Sequence, residues 1–319
     1  MNQDKISIIL PIYQDETAIT RCMQSILSQT YETFELFLVE VEGGENASKL
    51  CREYAKKDNR VCLLASSYQS IGAARNAGLQ AAKGRWVMFL DGTDYLAADY
   101  LMNMYSQRVQ TDAELIISNF YYVKREFQCA YDNKVNHKIT RDTYLSRLMK
   151  DPCHCYFEVL WNKMYDLKLI EEHSIKFPDK VAWGEDFIFN MQYLAYVKNI
   201  YILDQAGCYY VSQDRTAGLK KEWALIDSLN QRNYMYAAYK TLFWRLQLFD
   251  THKKKIEMYM LRYAALEFAG ILFPFSFKSW CLIRKKCLQD NQLNTIRNRL
   301  WVMTQGVKLR CFPNCNIQK

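Results

Sequence analysis

The chain has 319 residues, of which 50% are hydrophobic and 24% are charged. This hydrophobic content excludes an intrinsically disordered protein, and 11 Gly and 5 Pro are too few for a collagen-like or low-complexity chain. The net charge of +8 is unevenly distributed. Residues 220–319 contain 18 Lys and Arg against 6 Asp and Glu, whereas residues 1–219 contain 24 against 28. The sequence therefore predicts a slightly acidic body followed by a basic region.

Strand and helix patterns alternate in the first third of the chain. Apolar, β-branched runs predict strands, and apolar residues at helical spacing predict helices. The predicted strands are Ile6–Leu10, Phe34–Val41, Val61–Ala65 and Trp86–Leu90, and the predicted helices are Glu16–Gln29, Ala47–Lys57 and Ile71–Lys83. This alternation predicts an α/β fold with a mainly parallel sheet and helices on both faces. Ligands bind at the carboxyl ends of such strands, so we expect one crevice at that edge.

The remaining two thirds of the chain show a mixed pattern and then a helical one. We predict a strand at Glu114–Ser118, a hairpin near Lys134 and a helix after Asp186. From Glu222 onward the apolar and aromatic residues recur at helical spacing. The predicted domains are therefore residues 1–219 and a basic, aromatic-rich helical extension at residues 220–319.

The first 215 residues contain a series of short motifs, which are residues 7–13 (SIILPIY), 25–31 (SILSQTY), 73–79 (AARNAGL), 89–96 (FLDGTDYL), 161–163 (WNK) and 184–190 (GEDFIFN). In this order the motifs resemble those of an inverting glycosyltransferase of family 2. The resemblance implies a Rossmann-like GT-A fold. It also implies transfer of a hexose, with inversion, from a nucleotide sugar that is UDP-linked to a saccharide or lipid-linked acceptor. The implied setting is the assembly of a bacterial surface polysaccharide or glycoconjugate.

The resemblance also implies roles for individual residues. An acceptor hydroxyl is a weak nucleophile and needs a general base, which matches Asp186, with Glu185 orienting it or contacting the acceptor. Both acids also suit the start of a helix, where carboxylates stabilise exposed N–H groups. The implied nucleotide-sugar-binding residues are Pro11, Tyr13, Glu40, Arg75 and Asp91, and the implied acceptor-side residues are Trp161, Asn162 and Lys163.

The sequence departs from the family pattern at two acidic motifs. The family pattern has two adjacent acids after the second strand. In this chain Glu40 keeps the first acid, Val41 occupies the position of the second, and Glu42 is the alternative acid one residue later. Thr93 stands at the usual metal-ligand position of 91–94 (DGTD), and a hydroxyl is a poorer ligand for Mg²⁺ or Mn²⁺ than a carboxylate.

Three alternatives follow from these departures. In the first alternative the enzyme uses a metal that Asp91 and Asp94 hold weakly. In the second it needs no metal, and a basic side chain such as Lys163 or Arg215 binds the diphosphate. In the third alternative it is a non-catalytic GT-A paralogue that acts as a binding or scaffold protein.

The start of the chain and the basic region bear on location. Residues 1–5 lack a signal-peptide pattern, which favours a cytoplasmic protein whose 11 cysteines are reduced. No apolar run is long enough to span a bilayer; the best candidate, Ala264–Phe277, is short and carries Glu267 and Pro274.

Basic clusters at Lys253–Lys255 and Arg284–Lys286 lie near aromatic residues in the sequence. This pattern fits a helix that binds the anionic inner face of the membrane peripherally, and it equally fits an ordinary solvated helix face. No nucleic-acid-binding motif accompanies them.

Overall fold

The computed structural model describes residues 4–13, 16–41, 45–68, 70–124, 127–131, 136–149, 155–178, 184–211 and 234–257. These residues belong to two compact units. The first contains the described residues from 4 to 148 and from 155 to 211, and the second contains residues 149 and 234–257. The predicted domain boundary at 219/220 lies outside the described residues.

The first unit alternates strands and helices in the order expected from the sequence. Its strands are β1 (Ile6–Ile12), β2 (Phe34–Val41), β3 (Val61–Tyr68), β4 (Trp86–Phe89), β5 (Tyr95–Leu96), β6 (Leu115–Lys124), β7 (Phe127–Tyr131), β8 (His137–Thr140), β9 (Lys163–Asp166) and β10 (Asn199–Val211). Its helices are α1 (Glu16–Leu27), α2 (Glu45–Lys57), α3 (Ile71–Ala81), α4 (Tyr100–Thr111), α5 (Arg141–Leu148), α6 (Cys155–Glu158), α7 (Leu167–Glu172) and α8 (Glu185–Leu194).

The strands of the described part form one sheet in the order β3-β2-β1-β4-β9-β6-β10-β5, with β7 beside β6 and β8 beside β10. The pairs β1–β2, β2–β3, β1–β4 and β6–β10 are parallel. β9 is antiparallel to both of its neighbours, β4 and β6. Strands β1, β2, β4, β6 and β10 therefore end at the same edge of the sheet, which we call the carboxyl edge. The predicted α/β fold is confirmed.

The core explains why these residues form these elements. All seven residues of β1 are buried, as expected for a β-branched strand between two parallel neighbours. Helix α3 packs directly on this strand at Gly78, because a Cβ added there would lie 2.5 Å from Cγ2 of Ile9. In α1 the predicted apolar positions Ile19, Cys22, Met23 and Ile26 are buried. The close approach of α3 to β1 brings the motif at residues 73–79 near the carboxyl edge.

The second unit is helical at residues 234–245 and 249–257. Tyr239, Phe243 and Ile256 are buried, whereas Trp244 is 65% exposed and its ring lies 5.3 Å from the Lys240 ammonium. Lys253–Lys255 are exposed. The other features predicted for the extension, among them Ala264–Phe277 and Arg284–Lys286, lie outside the described residues. In the part of the chain that the structure describes, no helix is long and apolar enough to cross a bilayer.

Candidate active site

One buried arginine joins three carboxylates at the carboxyl edge. Arg75 lies on α3, which begins after Ser70, whose hydroxyl accepts a hydrogen bond from the Ala73 amide. Its Nη2 donates to Oδ1 of Asp91 at 3.0 Å, and its Nη1 donates to Oε1 of Glu185 at 2.9 Å and to Oδ1 of Asp186. Asp91 follows β4, and the two other acids begin α8. The structure thus brings together four predicted site residues from three separate motifs.

The electrostatics of this cluster follow from burial. The Arg75 side chain is 3% exposed, so its ion pairs form in a medium that screens them less than water does. Burial raises the pKa of Asp186 well above its ordinary value, and the nearby Glu185 and Asp91 act in the same direction, against the opposing charge of Arg75. Burial favours a lower pKa for Arg75, but Asp186, Asp91 and Glu185 raise it above its ordinary value. The guanidinium therefore stays charged.

Asp94 is held differently from Asp91. Its side chain is fully buried, and its Oδ1 accepts hydrogen bonds from the Val211 amide at 3.0 Å and the Thr93 hydroxyl at 3.4 Å. Its Oδ2 has no hydrogen-bond partner among the described residues. Burial raises the pKa of Asp94 well above its ordinary value, and the charge of Asp91 adds to this. Asp94 thus ties the acidic motif after β4 to the end of β10.

These carboxylates fit a metal only with help from a substrate. Within the described ranges, no group of three or more His, Cys, Asp or Glu side chains is arranged to hold an ion. Asp91 is partly exposed, whereas Asp94 is directed at β10. Mg²⁺ is commonly held by one or two carboxylates together with substrate phosphates. A divalent ion is therefore compatible with Asp91 and the orphaned oxygen of Asp94 when a diphosphate completes the coordination.

The residues expected to bind the nucleotide lie at the ends of β1 and β2. Pro11 is buried in β1 opposite Val39, and Tyr13 follows this strand with 37% of its surface exposed. Glu40 is half-buried beside Ile12 of β1, and its Oε1 has no hydrogen-bond partner in the described part of the chain. This oxygen is buried, so it could accept a hydrogen bond from a ligand hydroxyl or N–H only after it becomes exposed. Glu42 lies outside the described residues.

The three residues expected on the acceptor side are buried in this structure. Trp161 stacks on Tyr210 with ring centroids 4.9 Å apart, and Asn162 donates to the Ser118 carbonyl at 3.1 Å. Lys163 is 1% exposed, and its ammonium donates to the carbonyl oxygens of Tyr156 and Val159 and to Oδ1 of Asn162. These contacts give the motif a packing role. A direct contact with an acceptor or a diphosphate stays a prediction, and it requires these side chains to become exposed. Arg215 is outside the described residues.

Sequence reasoning missed one contact that supports the cluster. The Asn76 Nδ2 donates to the Phe177 carbonyl, and the Phe177 amide donates to Asn76 Oδ1, both at 2.9 Å. The Phe177 ring stacks on Phe189 of α8 at 4.2 Å. The only available signal was that Asn76 follows Arg75 within the motif at residues 73–79.

Comparison with known proteins agrees with this arrangement. The model of glycosyl transferase family 2 matches residues 7–174. Glycosyltransferase GlyA of Streptococcus pneumoniae is 28% identical over 251 residues, which are 72% of this chain and 34% of GlyA. Poly(ribitol-phosphate) beta-glucosyltransferase of Bacillus spizizenii is 24% identical over 212 residues, 65% of this chain and 32% of that protein. The chain thus spans about a third of the length of each of these relatives.

A solved structure shares the fold. TarS 1–349 of S. aureus, in complex with UDP-GlcNAc, superposes with a TM-score of 0.58 at 19% identity and covers 83% of both chains. The match of the family model to more than half of the sequence, together with the fold, identifies the family. The chain belongs to glycosyl transferase family 2.

Proposed function

We propose that this chain transfers a hexose from a UDP-sugar to a hydroxyl group of a saccharide or lipid-linked acceptor, with inversion at the anomeric carbon. The observation that carries the proposal is the Arg75 cluster, which joins Asp91 after β4 to Asp186 at the start of α8. UDP-GlcNAc in the TarS complex supports a UDP-linked donor. The relative named for poly(ribitol phosphate) supports a polyhydroxylated polymer as acceptor, in keeping with surface-polysaccharide assembly.

Asp186 is the general base of the proposed reaction. Its side chain is 25% exposed, so an acceptor can reach it, while Glu185 and Arg75 hold it in place. The carboxylate takes the proton of the acceptor hydroxyl as the oxygen forms a bond to the anomeric carbon. The bond from that carbon to the diphosphate breaks on the opposite face, and UDP leaves with the electron pair. A carboxylate whose pKa is raised by burial accepts this proton more readily than an exposed aspartate.

The donor occupies the carboxyl edge beside β1, β2 and β4 in this proposal. Glu40 accepts a hydrogen bond from the nucleoside once its orphaned Oε1 becomes exposed, and Pro11 and Tyr13 flank the base. Asp91 and Asp94 are the residues that would hold Mg²⁺ or Mn²⁺, and a bound ion would stabilise the charge that develops on the leaving diphosphate. Loss of UDP release after addition of a chelator, and recovery with excess Mn²⁺, would establish the need for metal.

The test is donor turnover by the full chain. The protein is incubated with UDP-glucose, UDP-galactose, UDP-GlcNAc and UDP-GalNAc, with and without polyol or saccharide acceptors, and released UDP is measured. We expect release with at least one donor, and about a 10²- to 10⁴-fold lower rate in Asp186→Asn. Glu171→Gln, an exposed acid on α7, is the matched control. Donor binding without release of UDP would contradict the proposal and favour the non-catalytic alternative.

We also propose that the basic second unit binds an anionic membrane surface. The exposed Lys253–Lys255 and the exposed Trp244 ring support this, because basic and aromatic side chains together favour the membrane interface. The full chain should sediment with phosphatidylglycerol vesicles at low salt, and Glu replacement of Lys253–Lys255 should reduce the bound fraction several-fold. Glu replacement of the exposed Lys56 and Lys57 on α2 is the control. Equal binding by both variants would contradict the proposal.

A further inference from the structure

We propose that Asn76 is a positioning residue for the transfer reaction: it fixes the backbone of Phe177, whose ring supports both Arg75 and the first turns of α8. This inference rests on the proposed transferase function and deepens it. Asn76 acts through Phe177, since its side chain makes two hydrogen bonds to the backbone of that residue. What it positions is the pair of acids at the start of α8, Glu185 and Asp186.

The contact between Asn76 and Phe177 is two-sided. The side-chain amide donates to the backbone carbonyl and accepts from the backbone N–H of the same residue. An asparagine provides a donor and an acceptor in one plane, which no apolar residue of similar size can replace. Gly72, one turn earlier on α3, adds to this contact because a Cβ there would lie 2.8 Å from the Pro178 carbonyl oxygen. Helix α3 therefore lies directly against the backbone of residues 177–178.

The Phe177 ring transmits this fixed position to the site. Its face stacks on Phe189 with centroids 4.2 Å apart and 7° between the rings, and it meets Phe89 of β4 edge-on at 5.1 Å. The Arg75 guanidinium lies 5.4 Å from the centre of the same ring. Phe189 is four residues after Glu185 and three after Asp186, so these side chains share a face of α8.

Loss of the two hydrogen bonds between Asn76 and Phe177 should therefore disturb the positions of Glu185 and Asp186 more than it disturbs the nucleotide pocket. A misplacement of about 1 Å at a reacting group lowers turnover by about 10²-fold. For Asn76→Ala we expect kcat to fall about 10- to 100-fold, while KM for the donor changes less than about twofold. If Asn76 had a merely structural role, the substitution would lower the amount of folded protein. It would leave both kcat per folded molecule and KM for the donor unchanged.

The experiment compares four variants of the full chain, each assayed at least about 10 °C below its own Tm. They are Asn76→Ala, Phe177→Leu, the double variant, and Asn103→Ala on α4 as a matched control. If Asn76 acts through Phe177, the double variant loses no more kcat than the more impaired single variant. Losses that multiply, or equal kcat in Asn76→Ala and Asn103→Ala, would overturn the inference.

A second readout does not depend on turnover. Hydrogen–deuterium exchange of the peptide covering residues 184–194 should be about tenfold faster in Asn76→Ala than in the wild-type chain, and unchanged in Asn103→Ala. Absence of UDP release from the wild-type chain would refute the proposed transferase. Unchanged exchange at residues 184–194 in Asn76→Ala would separately refute the positioning role.

Discussion

Replacing Arg75 with methionine tests whether the buried cation stabilises the fold as well as the site. The substitution keeps much of the side-chain volume but leaves Asp91, Glu185 and Asp186 without their shared partner. Breaking a buried ion pair costs about 3–5 kcal/mol. The three carboxylates are 13–25% exposed and can be partly rehydrated, so we take about 3 kcal/mol, at the low end of that range. For a unit of about 200 residues this corresponds to a Tm lower by about 6–12 °C.

The stability that Arg75→Met loses should increase as pH rises. Burial raises the pKa of Asp186 above its ordinary value, and loss of the Arg75 charge, which opposes this effect, raises that pKa further in the folded state. The folded state then binds more protons than the unfolded state, so the free energy of unfolding falls as pH rises. The variant should therefore be closest to the wild-type chain near pH 5 and most destabilised near pH 8.

The assay is thermal unfolding followed by circular dichroism between pH 5 and pH 8. Arg85→Met is the matched control, because Arg85 is 37% exposed and pairs with one acid, Asp166, at 2.6 Å. We expect it to cost about 1 kcal/mol, as for a pair near the surface. If Arg75→Met loses no more stability than Arg85→Met, or if its Tm difference from wild type does not grow with pH, the account of the buried cluster is wrong.

Three further predictions concern single positions. Asp186→Asn should keep the Tm within about 2 °C of wild type near pH 7 while UDP release falls about 10²- to 10⁴-fold, measured on the same preparation; equal release would remove Asp186 as the base. Asp94→Asn should gain stability relative to wild type as pH rises from 5 to 8, because the raised pKa of the buried Asp94 makes its ionised form costly; thermal unfolding at both pH values measures this, and a constant difference would contradict it. Gly78→Ala should destabilise the chain by about 1–3 kcal/mol through contact with Ile9, as read from urea unfolding, whereas Ala77→Gly on the same helix should cost only about 1 kcal/mol.

Much of the fold could be predicted because its local patterns are strong. The strand at residues 34–41 has the predicted bounds, since its apolar run is bounded by polar residues on both sides. The insertion of β9 into the middle of the sheet could not be predicted. A strand of four residues, Lys163–Asp166, is too short for a periodicity to be recognised, and its antiparallel direction depends on strands far away in the chain.

The site was predicted as separate motifs and not as a connected cluster. Residue types pointed to Arg75, Asp91 and Asp186, but the ion pairs join positions 16 and 111 residues apart. Nothing in the spacing shows that one guanidinium serves three acids. Burial also changed the expected role of Lys163, whose ammonium is used by backbone carbonyls and an amide oxygen, a fact that charge alone does not indicate.

The pairing of β6 with β10 has a consequence for synthesis of the chain. β6 is Leu115–Lys124, and its parallel partner extends to Val211, whose amide also binds Asp94. The ribosome therefore synthesises β6 long before β10, the strand that pairs with one of its edges. During that interval an edge rich in Ile, Phe and Tyr is available to other nascent chains, which favours aggregation. A fragment limited to the family match at residues 7–174 would keep this edge open permanently.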